Sequence, residues 1–378
     1  MCLANGQKNQ LFNMNTNLYT IGVEEEYMIC DDSGNLIDKA DLIIDLTKKD
    51  YPGRFSYELL LSEIESNTSI NNTLKESIAE VLKYRNILNK IGKSNNFSIG
   101  MSGTHPTASP KDQKFVKNES YNWVTNELKY YATQNITFSI HVHIGLEDNE
   151  KLIKVTNTLR RWIAPMLALS ANSPFFNGMN TGMKSARSFQ FSIFPRTEIP
   201  VYIKSYKDYC NMIEKYTKMD SIAKPGHIWW KIRPHIDFKT VEFRVCDVQR
   251  SIENTEVIIG LVQALVRSID INKDYNHDYQ YEYLTDSLWK ASSRGLDSMI
   301  VDPYDNKIIT MKYMVLKMLN YCKESLDFFG NTYLIKYVEN IIENGTEADK
   351  QLKIYENNDI EYLKKYLVET VDYRREEF

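Results

Sequence analysis

The segment Leu18–Cys30, LYTIGVEEEYMIC, alternates Tyr19, Ile21 and Val23 with Thr20, Gly22 and Glu24. A period of two marks a β-strand, and the turn-forming DDSGN of Asp31–Asn35 ends it. Glu24 and Glu26 then share one face, while Glu25 points the other way. Apolar flanks place the strand inside the protein, where adjacent carboxylates repel and are costly to desolvate. A divalent cation removes that penalty, and magnesium favours hard oxygen ligands shared with phosphate. A solvated sheet face is the plain alternative.

The rest of the chain mixes strands and helices. Residues Phe55–Thr68 fit either. Helical spacing marks Asn72–Ile91, Lys117–Ala132, Lys151–Ala171, Tyr206–Met219 and Glu253–Asp270, and β-branched runs mark strands at Phe97–Ser102, Ile136–Leu146 and Val241–Asp247. Asn172–Pro200 reads as a long loop, and its phenylalanines predict that it is ordered. After Tyr275 the chain turns largely helical, with helices expected at Met311–Phe329, Leu334–Asn344 and Asp359–Tyr373. This pattern predicts an α+β fold with an antiparallel sheet. A flexible leader over 1–17 precedes one catalytic domain over 18–378, helical from about 275 onward.

Other carboxylates recur at suggestive spacings. Glu58 and Glu65 are seven apart, on one face of a helix but on opposite faces of a strand, and Glu63 lies two before Glu65. His141 and His143 share a face within SIHVHIG, and Glu242 and Arg244 do so within TVEFRVCD. Two imidazoles on one side admit a zinc reading, with His143 the stronger metal candidate. A buried Glu242 could ligate a cation, and the Arg244 guanidinium could clamp phosphate or carboxylate through its forked donors.

Composition removes several classes. Net charge is −4 with a pI near 6.0, so no global basic field draws nucleic acid or an anionic membrane. Cys2, Cys30, Cys210, Cys246 and Cys322 are scattered, without a CxxC pair, as expected of reduced cytoplasmic thiols. No apolar run is long enough to span a bilayer. No GxxxxGK[ST] loop is present.

The blocks GVEEEY, HVHIG, ANSPFFNGMNTGMKSARSFQF, FPRTEIP, WWKIRPH and TVEFRVCD, in that order, resemble the carboxylate–amine ligases of the second glutamate–cysteine ligase family. The likeness runs from about Leu18 to about Ile271. It implies a glutamine-synthetase-like fold, in which a curved antiparallel sheet forms a funnel flanked by helices. It also implies ATP with two or three magnesium ions, and a γ-glutamyl amide made from glutamate and an amine such as cysteine. By motif, Glu24, Glu26, Glu58, Glu65, His143 and Glu242 resemble metal ligands. Arg187, Arg233 and Arg244 resemble catalytic contacts to substrate and phosphate, and His143, Arg233 and Arg244 contacts to the nucleotide. A cytoplasmic homodimer, with no nucleic-acid or membrane partner, is the expectation by analogy.

Glu198 stands where the family more often has Gly, and Lys231 where it more often has Asp. Ser66 and Asn67 replace small apolar residues. These departures flank the proposed ligands and bear on the amine more than on the chemistry. The rivals are a guanidine-phosphorylating enzyme of the same fold, a non-catalytic nucleotide-binding relative, and a zinc hydrolase built on His141 and His143.

Overall fold

The computed structural model describes residues 18–117, 119–275 and 277–374. The expected leader over 1–17 lies outside the described residues. Strands β1 (Ile21–Cys30), β2 (Phe55–Tyr57), β3 (Glu63–Asn67), β4 (Ser98–Gly100) and β5 (Ile140–Gly145) come first. A small hairpin of β6 (Phe175–Phe176) and β7 (Met179–Asn180) follows, then β8 (Ile232–His235) and β9 (Thr240–Phe243), then a second hairpin of β10 (Met299–Asp302) and β11 (Lys307–Thr310). One open antiparallel sheet takes the order β2-β3-β1-β5-β9-β8, and β4 pairs with the far end of β1.

Register sorts the side chains of this sheet into two faces. Val23 stands opposite Val142, and Val142 opposite Phe243. These residues and Ile21, Ile140, Ile144 and Val241 are almost fully buried against the long helix Ile252–Asn272. The apolar half of each alternation therefore anchors the sheet on helices, and the polar half is left for the other face. Glu25 falls on the covered face. It is fully buried and takes a two-point ion pair from Arg85 of the helix Leu74–Asn95.

Two expectations were settled by turns. Phe55–Thr68 is neither one helix nor one strand but β2 and β3, antiparallel to each other. Lys151–Ala171 breaks into helices Asn149–Leu159 and Ile163–Ser170 around a single 3-10 turn. Pro165 has no N–H to continue the first helix and sits where a new helix needs none. Asn172–Pro200 is ordered, as its phenylalanines predicted, and holds the β6–β7 hairpin and the helix Ala186–Phe191. Asn177 and Gly178 both adopt positive φ at the hairpin tip, the geometry that matches strand twist. The C-terminal region is helical as expected. Its helices Tyr281–Arg294 and Glu347–Asn357 and the β10–β11 hairpin were not resolved from the sequence.

Candidate active site

The polar face of the sheet is a grid. Glu65 of β3 stands opposite Glu26 of β1, and Glu24 of β1 opposite His141 of β5. His143 stands opposite Glu242 of β9, which in turn faces Arg233 of β8. Glu65, Glu26 and Glu24 thus occupy one side of the face, the imidazoles the middle, and Glu242 with Arg233 the other side. The two-residue period on each strand and the antiparallel register produce this polarity together.

A cavity of about 370 Å³ opens over this face. Glu24, Glu26, Glu58, Glu63 and Glu65 line its acidic side, and Arg187, Arg233 and Arg244 its basic side. Glu58 follows β2 directly, so the turn into β3 brings it beside Glu65 although the two are seven residues apart. Burial pushes the Glu58, Glu63 and Glu65 carboxyls well above the usual range, and neighbouring carboxylates push them further. Burial would raise Glu24 too, but His143 and His141 outweigh it and hold it well below its ordinary value.

The donor chemistry fits hard divalent cations. Glu24, His141 and Glu242 present ligand atoms within 4.8 Å of one another, and so do Glu26, Glu65 and His141. His143 reaches the same place, with Nε2 3.2 Å from Glu24 Oε1 and 3.9 Å from Glu242 Oε1. The sequence reading weighted His143 over His141; in the structure His141 belongs to both groups. Oxygen donors outnumber nitrogens in both, which suits magnesium better than zinc.

Across the face, Arg233 donates to Glu242 through Nε at 2.6 Å and Nη2 at 3.0 Å. Arg244 Nη1 donates to the same carboxylate. Burial opposes ionisation of Glu242, but Arg233 and Arg244 prevail and hold its carboxyl far below the usual range. Arg187 is held by the carbonyls of Val245 and Arg244. The Nε atoms of Arg187 and Arg244 are buried without a hydrogen-bond partner among the described residues. Unspent donors on buried guanidinium groups beside a cavity are what an anionic ligand completes.

Of the residues singled out from the sequence, Glu24, Glu26, Glu58, Glu65, Arg187, Arg233 and Arg244 line one hollow, while His143 and Glu242 lie outside its lining and adjoin it through Glu24 and Arg233. Sequence reasoning missed the far wall, where Tyr121, Phe191, Phe194, His227 and Trp229 close the cavity. His227 stacks on Trp123 at 4.2 Å between ring centres. Only distant loops and helices supply these residues, so no local period marks them. Glu63 was visible through its alternation with Glu65. Lys231 lies fully buried beneath Phe191, and burial, reinforced by Arg187, pushes its amino group down to about 7. A larger hollow of about 560 Å³ beside Arg161 and Asp274 is no rival, because its Asp274 already accepts from Tyr321 and pairs with His277.

Comparison with known proteins follows the same lines. Residues 20–369 match the family described as Glutamate-cysteine ligase family 2 (GCS2). A protein of Solibacter usitatus named "Putative glutamate--cysteine ligase 2" is 30% identical, covering 94% of each chain. One of the same name from Roseiflexus castenholzii is 32% identical, covering 94% of this chain and 95% of that one. The crystal structure of a glutamate–cysteine ligase from Francisella tularensis in complex with AMP superimposes with a TM-score of 0.72 at 13% identity, over 94% of this chain and 88% of that one. A bifunctional glutathione synthetase from Pasteurella multocida gives 0.69 at 14% identity, with this chain spanning 52% of its length. At those identities the structural likeness is one of fold. With a matching sequence family over nearly the whole chain and that fold beneath it, this protein belongs to glutamate–cysteine ligase family 2.

Proposed function

We propose that the protein is an ATP-dependent carboxylate–amine ligase that activates the γ-carboxylate of glutamate and joins it to an amine. One observation carries the reading: a single cavity sets the carboxylates and His141 of one sheet face against Arg187, Arg233 and Arg244. That polarity suits a polyphosphate spanning the face, its charge met by cations on the acidic side and by guanidinium groups on the other.

Glu24, Glu26, Glu65, His141 and His143 would hold magnesium, with Glu58 and Glu242 adjoining them. When bound, the metal neutralises phosphate oxygens and lets these carboxylates ionise together. Arg233 and Arg244 orient the terminal phosphates and take up charge as the carboxylate oxygen attacks phosphorus and ADP departs. Arg187 binds the acyl phosphate so formed. The amine nitrogen then attacks the acyl carbon, and phosphate leaves. Tyr121, Phe191, Phe194 and Trp229 wall the cavity and keep water from the acyl phosphate. No protein nucleophile is required.

The test is phosphate release from ATP with glutamate and a panel of amines including cysteine, with the product identified by mass. Amide formation that requires both glutamate and amine is expected. A phosphorylated guanidine, or ATP cleavage indifferent to amine, would overturn the reading.

A further inference from the structure

Asp247 closes the TVEFRVCD block and has no part in the chemistry above. It is fully buried and lies outside the lining of the cavity. Its carboxylate nonetheless gathers both ends of the loop that carries Arg187. Oδ2 accepts from the Asn172 N–H at 2.9 Å and from the Ser173 hydroxyl at 2.7 Å, where the loop begins. Oδ1 accepts from the Ser185 hydroxyl at 2.9 Å, where it ends, and lies 3.7 Å from Arg187 Nη1. Burial holds the Asp247 carboxyl above its ordinary value, while Arg187 and the same three donors oppose that rise.

A serine hydroxyl has one proton to give. Ser173 and Ser185 both give theirs to Asp247, so both oxygens are left as acceptors. Ser173 Oγ takes the Arg187 N–H at 3.1 Å, and Ser185 Oγ takes the Ser188 N–H at 3.3 Å. Arg187 and Ser188 open the helix Ala186–Phe191. The carboxylate thereby fixes the backbone from which the Arg187 side chain extends. The guanidinium lies along the carbonyls of Val245 and Arg244, with Asp247 beside it. Gly103 leaves the room this needs: a Cβ there would stand 2.6 Å from Asp247 Cγ and 2.9 Å from Ser173 Oγ. A side chain that must meet a reacting group is held in productive geometry by contacts behind it of this kind.

We propose that Asp247 is a positioning residue for the acyl-phosphate step: it seats the 172–187 segment so that Arg187 keeps hold of the acyl phosphate until the amine attacks. This rests on the ligase reading of the site. Asp247 touches no substrate and takes no part in the bond changes; it acts through Arg187. Where Arg187 is misplaced, water competes with the amine. The water oxygen bonds to the acyl carbon and gives up its proton to solvent. The C–O bond to phosphate breaks with its electron pair leaving on phosphate, and glutamate is returned without amide.

The test is Asp247→Asn, which keeps the size and one acceptor oxygen but removes the charge and sets a donor where only acceptors fit. Phosphate and amide are measured together, with ATP, glutamate and cysteine or whichever amine of the panel the unaltered enzyme joins. The unaltered enzyme is expected to release the two in equal amounts. In Asp247→Asn amide turnover is expected to fall about ten- to a hundredfold, the size of one charged hydrogen bond. KM for ATP holds, and phosphate outruns amide. Arg187→Ala is expected to show the same excess of phosphate, and adding Asp247→Asn to it to change the ratio no further. Ser173→Ala removes one linking hydroxyl, leaves the charge in place and is expected to shift the ratio less, in the same direction. Phosphate and amide still equal in Asp247→Asn, or in Ser173→Ala where the first variant does not fold, overturns the proposal. So does a further change of the ratio on top of Arg187→Ala. In either case amide made by the unaltered enzyme leaves the ligase reading standing. If no amine yields amide, both fall.

Discussion

Replacing Glu26 by Gln is expected to cut kcat by at least about 10²–10³, the usual loss when one preorganised electrostatic contact to a transferring group is removed. Glu26 sits opposite Glu65, accepts from the Ser139 N–H and lies 3.8 Å from His141 Nε2. Glutamine keeps the shape and an acceptor oxygen but removes the charge that a divalent cation requires. The fold should survive, because the substitution relieves repulsion among Glu26, Glu58, Glu63 and Glu65 in the metal-free protein. Thermal unfolding without metal should therefore be unchanged or shifted upward, while the stabilisation conferred by magnesium shrinks. Arg244→Ala should reach a similar kinetic loss from the opposite side of the cavity. Steady-state kinetics beside circular dichroism check both, and near-normal turnover in either variant counts against the site.

The largest loss of stability is expected from Arg85→Ala, about 3–5 kcal/mol by chemical denaturation, because it strands a fully buried carboxylate. Arg85 donates to Glu25 at 2.9 and 2.5 Å and to the carbonyls of Gln249, Arg250 and Asp372. It thereby ties β1 to the helix Leu74–Asn95, to the segment before Ile252–Asn272 and to the C-terminal end. Tyr27 also donates to Glu25, at 2.6 Å. Paired replacement of Glu25 and Arg85 by leucine should restore much of the loss, since no charge is then left alone. A double variant as unstable as Arg85→Ala would mean that the carbonyl contacts, not the ion pair, hold these segments together.

What could be read from the chain follows from range. Glu24 and Glu26 were legible as a same-face pair because strand alternation is local, and Glu25 was correctly set apart. His141 with His143, and Glu242 with Arg244, were legible for the same reason. That Arg233 meets Glu242, or that His141 rather than His143 alone stands beside Glu24, depends on strand register, which no short window contains. Glu58 and Glu65 converge through a turn that neither a helical nor a strand period describes. The apolar period of Lys151–Ala171 runs through Pro165 and read as one helix, whereas the chain breaks there into Asn149–Leu159 and Ile163–Ser170. The aromatic wall, with His227 on Trp123, is assembled from segments about a hundred residues apart, so only the folded chain reveals it.

The most direct measurement is a calorimetric titration of the metal-free protein with a non-hydrolysable ATP analogue, run with magnesium and again with EDTA. Saturable binding is expected with magnesium and none with EDTA. Equal affinity under both conditions would contradict a nucleotide held through cations on the Glu24–Glu26–Glu65 face.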